Sequence, residues 1–266
     1  MASADKVALV TGAGRGLGRA MALGLSHAGF RVAITAARNR AEVESVAREA
    51  PQGKVHPLTS DAGSASECAA LVKEVEEQLG PVDVLVNNAG RGMRYVSERF
   101  TVEPTRFWEA DPETWRMVID TNVNGPFYLA RAVTPGMISR GWGRIINISM
   151  NHETMRRKGF SPYGPSKAAL ESETIIWAQD LAGTGVTVNA LLPGGASLTG
   201  MIPDEAPPAL RQKLLMPEIM VPPLLWLISE SADGVTGKRI NAARWNQEPD
   251  PALKLVKASE SAGWSL

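Results

Sequence analysis

The chain has 266 residues, 44% of them hydrophobic and 21% charged, an ordinary globular composition that excludes a disordered or fibrous protein. Lys plus Arg and Asp plus Glu both total 28, and this balance argues against nucleic acid or a membrane surface as the main partner. Cys68 is the only cysteine, so no internal disulfide can form; with no signal-like opening and no run of ~20 apolar residues, the expectation is a soluble cytoplasmic protein.

In chain order, short runs rich in Val and Ile recur: "KVALVT", "RVAIT", "KVHPL", "VDVLVN", "RIINIS" and "VTVNALL", each read as a buried strand. Between them lie stretches of helical period, "GRAMALGLSHAG", "AEVESVAREA", "ECAALVKEVEEQLG" and "KAALESETIIWAQDLAG", several of which stop at Gly. Strand and helix in alternation require right-handed crossovers and a mostly parallel central sheet covered on both faces, a single-domain doubly wound α/β fold. Residues 1–245 form that domain, and residues 246–266, with two prolines and little periodicity, read as a C-terminal tail. Two stretches are irregular: "RGMRYVSERFTVEPTRFWEAD", before a helix starting near Asp111, and "PGGASLTGMIPDEAPP".

After the first strand, "TGAGRGLG" opens the first helix, with Gly12, Gly16 and Gly18 flanking Arg15 and Leu17. Glycines let the backbone turn tightly and approach a pyrophosphate, and the helix N-terminus supplies free N–H groups and partial positive charge, so the motif in this setting predicts dinucleotide binding. At the end of the second strand, where an acidic residue would accept from a free ribose 2′-hydroxyl, stand Ala37 and Arg38. Arg38 and Arg15 together favour the 2′-phosphate, hence NADP(H).

Here the chain resembles the short-chain dehydrogenase/reductase family over about Lys6 to Trp245, through "TGAGRGLG", Asp61 after the third strand, "NNAG", "DTNVNG", "YGPSK" and "NALLPGG". The resemblance implies a Rossmann-type fold with the cofactor across the strand ends. By that likeness Asp61 and Ala62 hold the adenine, Asn87, Asn88, Ala89 and Gly90 support the central strand and ribose, and Pro193 and Gly194 border the nicotinamide. It also implies a homodimer or homotetramer, through helices matching Asp111–Arg140 and Ser161–Thr184.

Tyr163 and Lys167, at i and i+4, share a helix face. A phenol near pKa ~10 is a poor base, and a neighbouring ammonium would stabilise its phenolate. Tyr163 therefore reads as the general acid or base of a carbonyl–alcohol interconversion with Lys167 tuning it, both beside the cofactor, which carries the hydride. Asn122 matches the family residue that helps order a water near the lysine.

In "NISMNHETM", Met150 stands 13 residues before the tyrosine, where the family usually has the serine that hydrogen-bonds the substrate oxygen. A thioether donates no hydrogen bond. Ser149, one residue earlier, would face the other side of a regular strand. Either a one-residue insertion brings Ser149 into place as a catalytic group, or Asn151 or His152 donates instead.

The substrate side is expected from Met150, Asn151 and His152 together with Arg94 and Trp108, whose loop carries further arginines and aromatics. A basic rim over an aromatic floor would suit an anionic small-molecule substrate, whereas the interspersed Glu98, Glu103, Glu109 and Asp111 could simply pair with the arginines. His152 next to Glu153, without further ligands, gives no metal site. The reading is an NADP(H)-dependent oxidoreductase; an imine or activated-alkene reductase, or a cofactor-binding regulator or scaffold, are the alternatives that Met150 leaves.

Overall fold

The apolar runs of the sequence become six adjacent strands of one eight-stranded sheet, and their alternation decides which helix layer each side chain meets. The computed structural model describes residues 6–263. In chain order the elements begin β1 (Val7–Val10), α1 (Gly16–His27), β2 (Arg31–Ala36), α2 (Arg40–Glu49), β3 (Val55–Thr59), α3 (Ala65–Leu79) and β4 (Val82–Asn87). They continue with α4 (Pro112–Ile119), α5 (Gly125–Ser139), β5 (Gly143–Ile148), α6 (His152–Met155), α7 (Tyr163–Asp180) and β6 (Val186–Leu192). Last come α8 (Pro208–Arg211), α9 (Val221–Leu227), β7 (Lys238–Asn241), α10 (Ala242–Gln247), α11 (Pro251–Ala258) and β8 (Ser259–Ser261).

The strand order is β3-β2-β1-β4-β5-β6-β7-β8, parallel throughout except at the β7–β8 edge. Period-two alternation sends Ala8 and Val10 to the layer of α1, α2 and α9, where Met21, Leu25, Val43 and Leu224 lie. Val7 and Leu9 go to the layer of Leu71, Val75, Leu129 and Val133 on α3 and α5. Leu9 and Leu85 are wholly buried, and truncating either to Ala would destabilise by ~2–5 kcal/mol. The helix starts follow capping chemistry: Ser64 accepts from the Glu67 N–H and Asp111 from the Thr114 N–H.

Because the chain leaves β1 towards β2 and β3 and later returns to β4 on its other side, the carboxyl ends of β1 and β4 open a crevice at a topological switch point. Between α4 and α5 the helix widens to a π turn over Asp120–Asn124, a distortion common at functional sites.

Two strands escape the sequence reading. β7, "KRIN", has only four residues, and β8, "SES", has three without apolar alternation. The segment from Asn246, expected as a tail, instead carries α11, capped by Asp250 on the Ala252 N–H, and β8, which pairs antiparallel with β7. Trp245 at the end of α10 packs on Trp226 with ring centroids 4.9 Å apart, tying this part of the chain to α9.

Candidate active site

The cofactor side is built by backbone closeness. Gly12 has φ +63°, and a Cβ there would lie 2.8 Å from the Ala89 Cα. A Cβ on Gly18 would lie 2.4 Å from the Asn88 amide nitrogen and 2.5 Å from the Gly12 carbonyl, so only glycine lets α1 start this close to β1. Asn88 Nδ2 donates to the carbonyls of Thr11 (2.8 Å) and Gly12 (3.0 Å), and Thr11 Oγ1 accepts from the N–H groups of Asn88 (3.2 Å) and Ala89 (3.0 Å). The glycine loop and "NNAG" are thus stitched into one cradle. Beneath it Asn87 Nδ2 donates to Asn147 Oδ1, and Asn147 Nδ2 to Thr174 Oγ1, each at 2.9 Å, a buried relay joining β4, β5 and α7.

At the mouth of the cradle Leu17 packs inward against the core while Arg15 stays exposed. Arg15 approaches Glu42 only to 3.9 Å, and the exposed Arg38 guanidinium has no carboxylate partner among the described residues. Asp61 accepts from the Gly63 N–H (3.0 Å) and from Arg91 Nη2 (3.2 Å), and Ala62 is buried against Gly125. Gly194, with φ +94° after Pro193, would drive a Cβ to 2.3 Å from Asn241 Oδ1, and its carbonyl accepts from Asn151 Nδ2 at 3.0 Å.

α7 lines up Tyr163, Lys167 and Glu171 at successive i,i+4 positions. Burial pushes the Tyr163 phenol up to about 12. Its hydroxyl meets Met201 Sδ at 4.0 Å, a weak acceptor that leaves the proton available. Lys167 Nζ donates to the Ile148 carbonyl at 2.7 Å; burial lowers its pKa to about 8, partly opposed by the Glu171 carboxylate. The expected stabilisation of a Tyr163 phenolate by this ammonium is not what shifts the phenol: burial acts alone and in the other direction. Asn122, fully buried in the π turn, donates to the Arg91 carbonyl (2.9 Å) and to Ser166 Oγ (3.0 Å), and Ser166 donates to the Tyr163 carbonyl (2.7 Å). Asn122 is thereby locked to the first turn of α7.

At the missing serine, Ser149 is buried and its hydroxyl hydrogen-bonds Glu171 Oε1 at 2.5 Å. A hydroxyl carries one proton, and here it goes to a carboxylate rather than to a substrate oxygen. In this structure the Ser149 proton, which a shifted alignment would offer to the substrate, is engaged by Glu171. His152 Nε2 meets Glu171 Oε2 at 3.1 Å, so this imidazole edge is also turned to the buried carboxylate. Arg239 Nε donates to Glu171 Oε1 (3.1 Å) and Arg239 Nη2 to the Met150 carbonyl (2.8 Å), which fixes the backbone at Met150. Asn151 keeps a second amide N–H beyond its bond to Gly194.

Sequence reasoning missed Glu171, Arg239 and Met201. Glu171 had a signal, since it lies four residues after Lys167 on the same helix face, but Arg239 and Met201 reach the site only through the fold. On the basic loop, Arg91 pairs with Asp61 (3.2 Å), Arg94 with Glu98 (2.8 Å) and Arg99 with Glu103 (2.9 Å), and Arg94 also holds the Gly200 carbonyl (3.0 Å). Surface pairing thus accounts for these arginines. Trp108 is elsewhere, in a cavity of about 610 Å³ shared with the segment 155–161, which Arg94 does not line.

Fold and cleft together define a Rossmann-type oxidoreductase, with a dinucleotide cradle facing a half-buried tyrosine and a buried lysine. The model of the short chain dehydrogenase family matches residues 6–208, and the chain belongs to the short-chain dehydrogenase/reductase family. It is 34% identical over 246 residues to an acetoacetyl-CoA reductase of Rhizobium meliloti (strain 1021), covering 90% of this chain and 97% of that protein. It is 32% identical over 246 residues to a 3-oxoacyl-(acyl-carrier-protein) reductase of Staphylococcus epidermidis, covering 89% and 97%. Among solved structures it resembles a metagenomic short-chain oxidoreductase in complex with NADP (TM-score 0.71, 29% identity, 86% and 92% covered). It also resembles a 3-ketoacyl-(acyl-carrier-protein) reductase from Brucella melitensis complexed with NADH (TM-score 0.77, 28% identity, 87% and 93% covered). Among the described residues no helix is long and apolar enough to cross a membrane.

Proposed function

We propose that the chain is an NADP(H)-dependent reductase that converts a carbonyl compound to an alcohol, with Tyr163 as the proton donor. The observation that carries this reading is Tyr163 itself: a phenol that burial holds protonated, on the face of α7 that also carries Lys167, with the Met201 thioether beside its hydroxyl. A protonated phenol is the form that reduction of a carbonyl needs, since the developing alkoxide takes a proton. Lys167, with a pKa lowered to about 8, is largely cationic at neutral pH, and its charge would have to offset the burial that dominates the phenol if it is to favour the tyrosinate left after transfer. Asn122 holds the turn on which both depend.

The cradle fits a dinucleotide, because Gly12 and Gly18 occupy positions where a Cβ would collide and the N-terminus of α1 faces the crevice. Bound there, the cofactor would supply the hydride. Arg38 and Arg15, neither held by a close carboxylate, would take its 2′-phosphate, and Asp61 and Gly194 would stand at its adenine and nicotinamide ends. In place of the serine, Asn151 is the group to polarise the carbonyl, with its second N–H beside Gly194. The reductases it resembles are named for acetoacetyl-CoA and 3-oxoacyl-carrier substrates, so 3-oxoacyl compounds head the list to test. The exposed Phe127 and Ile138 on α5 and Ile176 on α7 support assembly through these two helices.

The test is NADPH consumption against 3-oxoacyl esters, ketones and aldehydes, with Tyr163→Phe run beside the native protein. Turnover that falls by ~10²–10⁴-fold in the variant is the expected result. A Tyr163→Phe protein as active as the native one would sink the reading.

A further inference from the structure

The cavity of about 610 Å³ beside the N-terminus of α7 has features that hydride transfer does not call on. Its walls come from the loop before α4 and from the segment between α6 and α7, and it reaches Ser161 and Pro165, which flank Tyr163 in sequence. The volume is that of a small-ligand site. Three cations line it, Arg106, Arg157 and Lys158, and among the described residues none of them has a carboxylate within salt-bridge distance, unlike Arg91, Arg94 and Arg99 on the same rim. The nearby Glu109 turns its carboxylate onto the Arg106 backbone N–H (3.4 Å). Arg156 donates to the His152 carbonyl (3.3 Å) and belongs to the wall rather than to the unpaired set.

The aromatic groups complete the site. Phe107 and Trp108 are 66% and 64% exposed, a large apolar area to leave in water, and they meet edge to face at 5.0 Å, so one ring face is open. Arg106 lies over the Trp108 ring at 5.4 Å and Arg157 over Phe160 at 5.4 Å, which orders both guanidinium groups while their N–H edges remain open to an anion.

We propose that this cavity is a binding site for a phosphorylated planar ligand of the nucleotide class: the phosphates on Arg106, Arg157 and Lys158, the base on Phe107 and Trp108. Three unpaired cations match more charge than one carboxylate carries, and the exposed rings match a planar base better than an alkyl chain. The nucleotide could be the far end of the carbonyl substrate, an extension that rests on the reductase reading, or a free effector; both present the same chemistry to the cavity.

The experiment starts with protein saturated with NADP⁺, so that the dinucleotide cradle is filled, titrated calorimetrically with adenosine 3′,5′-bisphosphate. Saturable binding at one site per chain is expected, weakened at least ~10-fold by Trp108→Ala and by the double change Arg106→Ala and Arg157→Ala, with inorganic pyrophosphate binding less tightly than the nucleotide. These side chains are exposed, so an unchanged melting temperature checks that the variants fold. No saturable binding, or native-like binding in both variants, overturns the site.

The source is then decided with a 3-oxoacyl thioester of coenzyme A and the same acyl group on N-acetylcysteamine. A substrate handle requires the arginine variant to raise KM for the first alone, with kcat kept. An effector requires the free bisphosphate to change turnover of the second. Absence of turnover on both thioesters, with nucleotide binding intact, would count against the reductase reading and leave the site standing.

Discussion

The cofactor wall and the substrate wall of the cleft are fixed by different forces. On the cofactor wall the determinants are backbone ones: Gly12 and Gly18 sit where a Cβ has no room, and Asn88 and Thr11 bond to main-chain groups of the adjoining loop. On the substrate wall the determinants are charges taken out of water. Glu171, 1% exposed, gathers Ser149, His152 and Arg239, and Arg239 in turn holds the Met150 carbonyl and pairs across the sheet edge with Glu260 at 3.6 Å. Main-chain closeness tolerates little sequence variation, whereas a side-chain network can be assembled in many ways. The first wall is therefore written as a motif and the second as a set of residues that meet only after folding.

The largest expected effect breaks the second wall. Glu171→Leu alone takes the buried carboxylate from the Arg239 guanidinium, leaving it the half-exposed Glu260, and should destabilise by ~3–5 kcal/mol in chemical denaturation, whereas Glu171→Leu with Arg239→Leu should recover most of that loss. If the double variant is no more stable than the single, the pair does not act as a unit. On the first wall, Arg38→Asp should weaken NADPH binding by ~100-fold and leave NADH nearly unchanged, read as Kd by fluorescence titration. Equal losses for both cofactors would remove the 2′-phosphate role from Arg38.

A smaller effect joins the walls through Lys167. Its folded pKa is depressed to about 8, so the ammonium is present below that pH and lost above it. Reduction at saturating NADPH should accordingly fall as pH rises through about 8, and a rate still flat at pH 9 would show that the charge of Lys167 is not used.

Much of the fold could be read from the chain because six strands are apolar runs of Val and Ile between helical periods, a direct consequence of a sheet covered on both faces. β7 and β8 were hidden for the same reason in reverse. They are short and polar at the sheet edge, and the segment expected as a tail is held by pairing and by Trp245 rather than by any periodicity. In the site, Tyr163, Lys167 and the glycines were legible as spacing, and Asn122 only through the family resemblance. Arg239, 68 residues from its partner Glu171, was not, and neither was the capture of Ser149 that follows from that pair. The arginine-rich loop divides likewise: its interspersed acidic residues left open the surface pairing that Arg94–Glu98 and Arg99–Glu103 make, while the cluster of Arg106 with Arg157 and Lys158 needs the fold.

The central claim is that Tyr163 works without the neighbouring serine, because the Ser149 proton belongs to Glu171. The most direct measurement compares kcat of Ser149→Ala with that of native protein on the best carbonyl substrate at saturating NADPH. The account predicts a kcat within ~3-fold of native, since no donor to the substrate is lost. A fall of ~100-fold or more, the usual loss for one polarising donor, would contradict it and place Ser149 at the substrate oxygen.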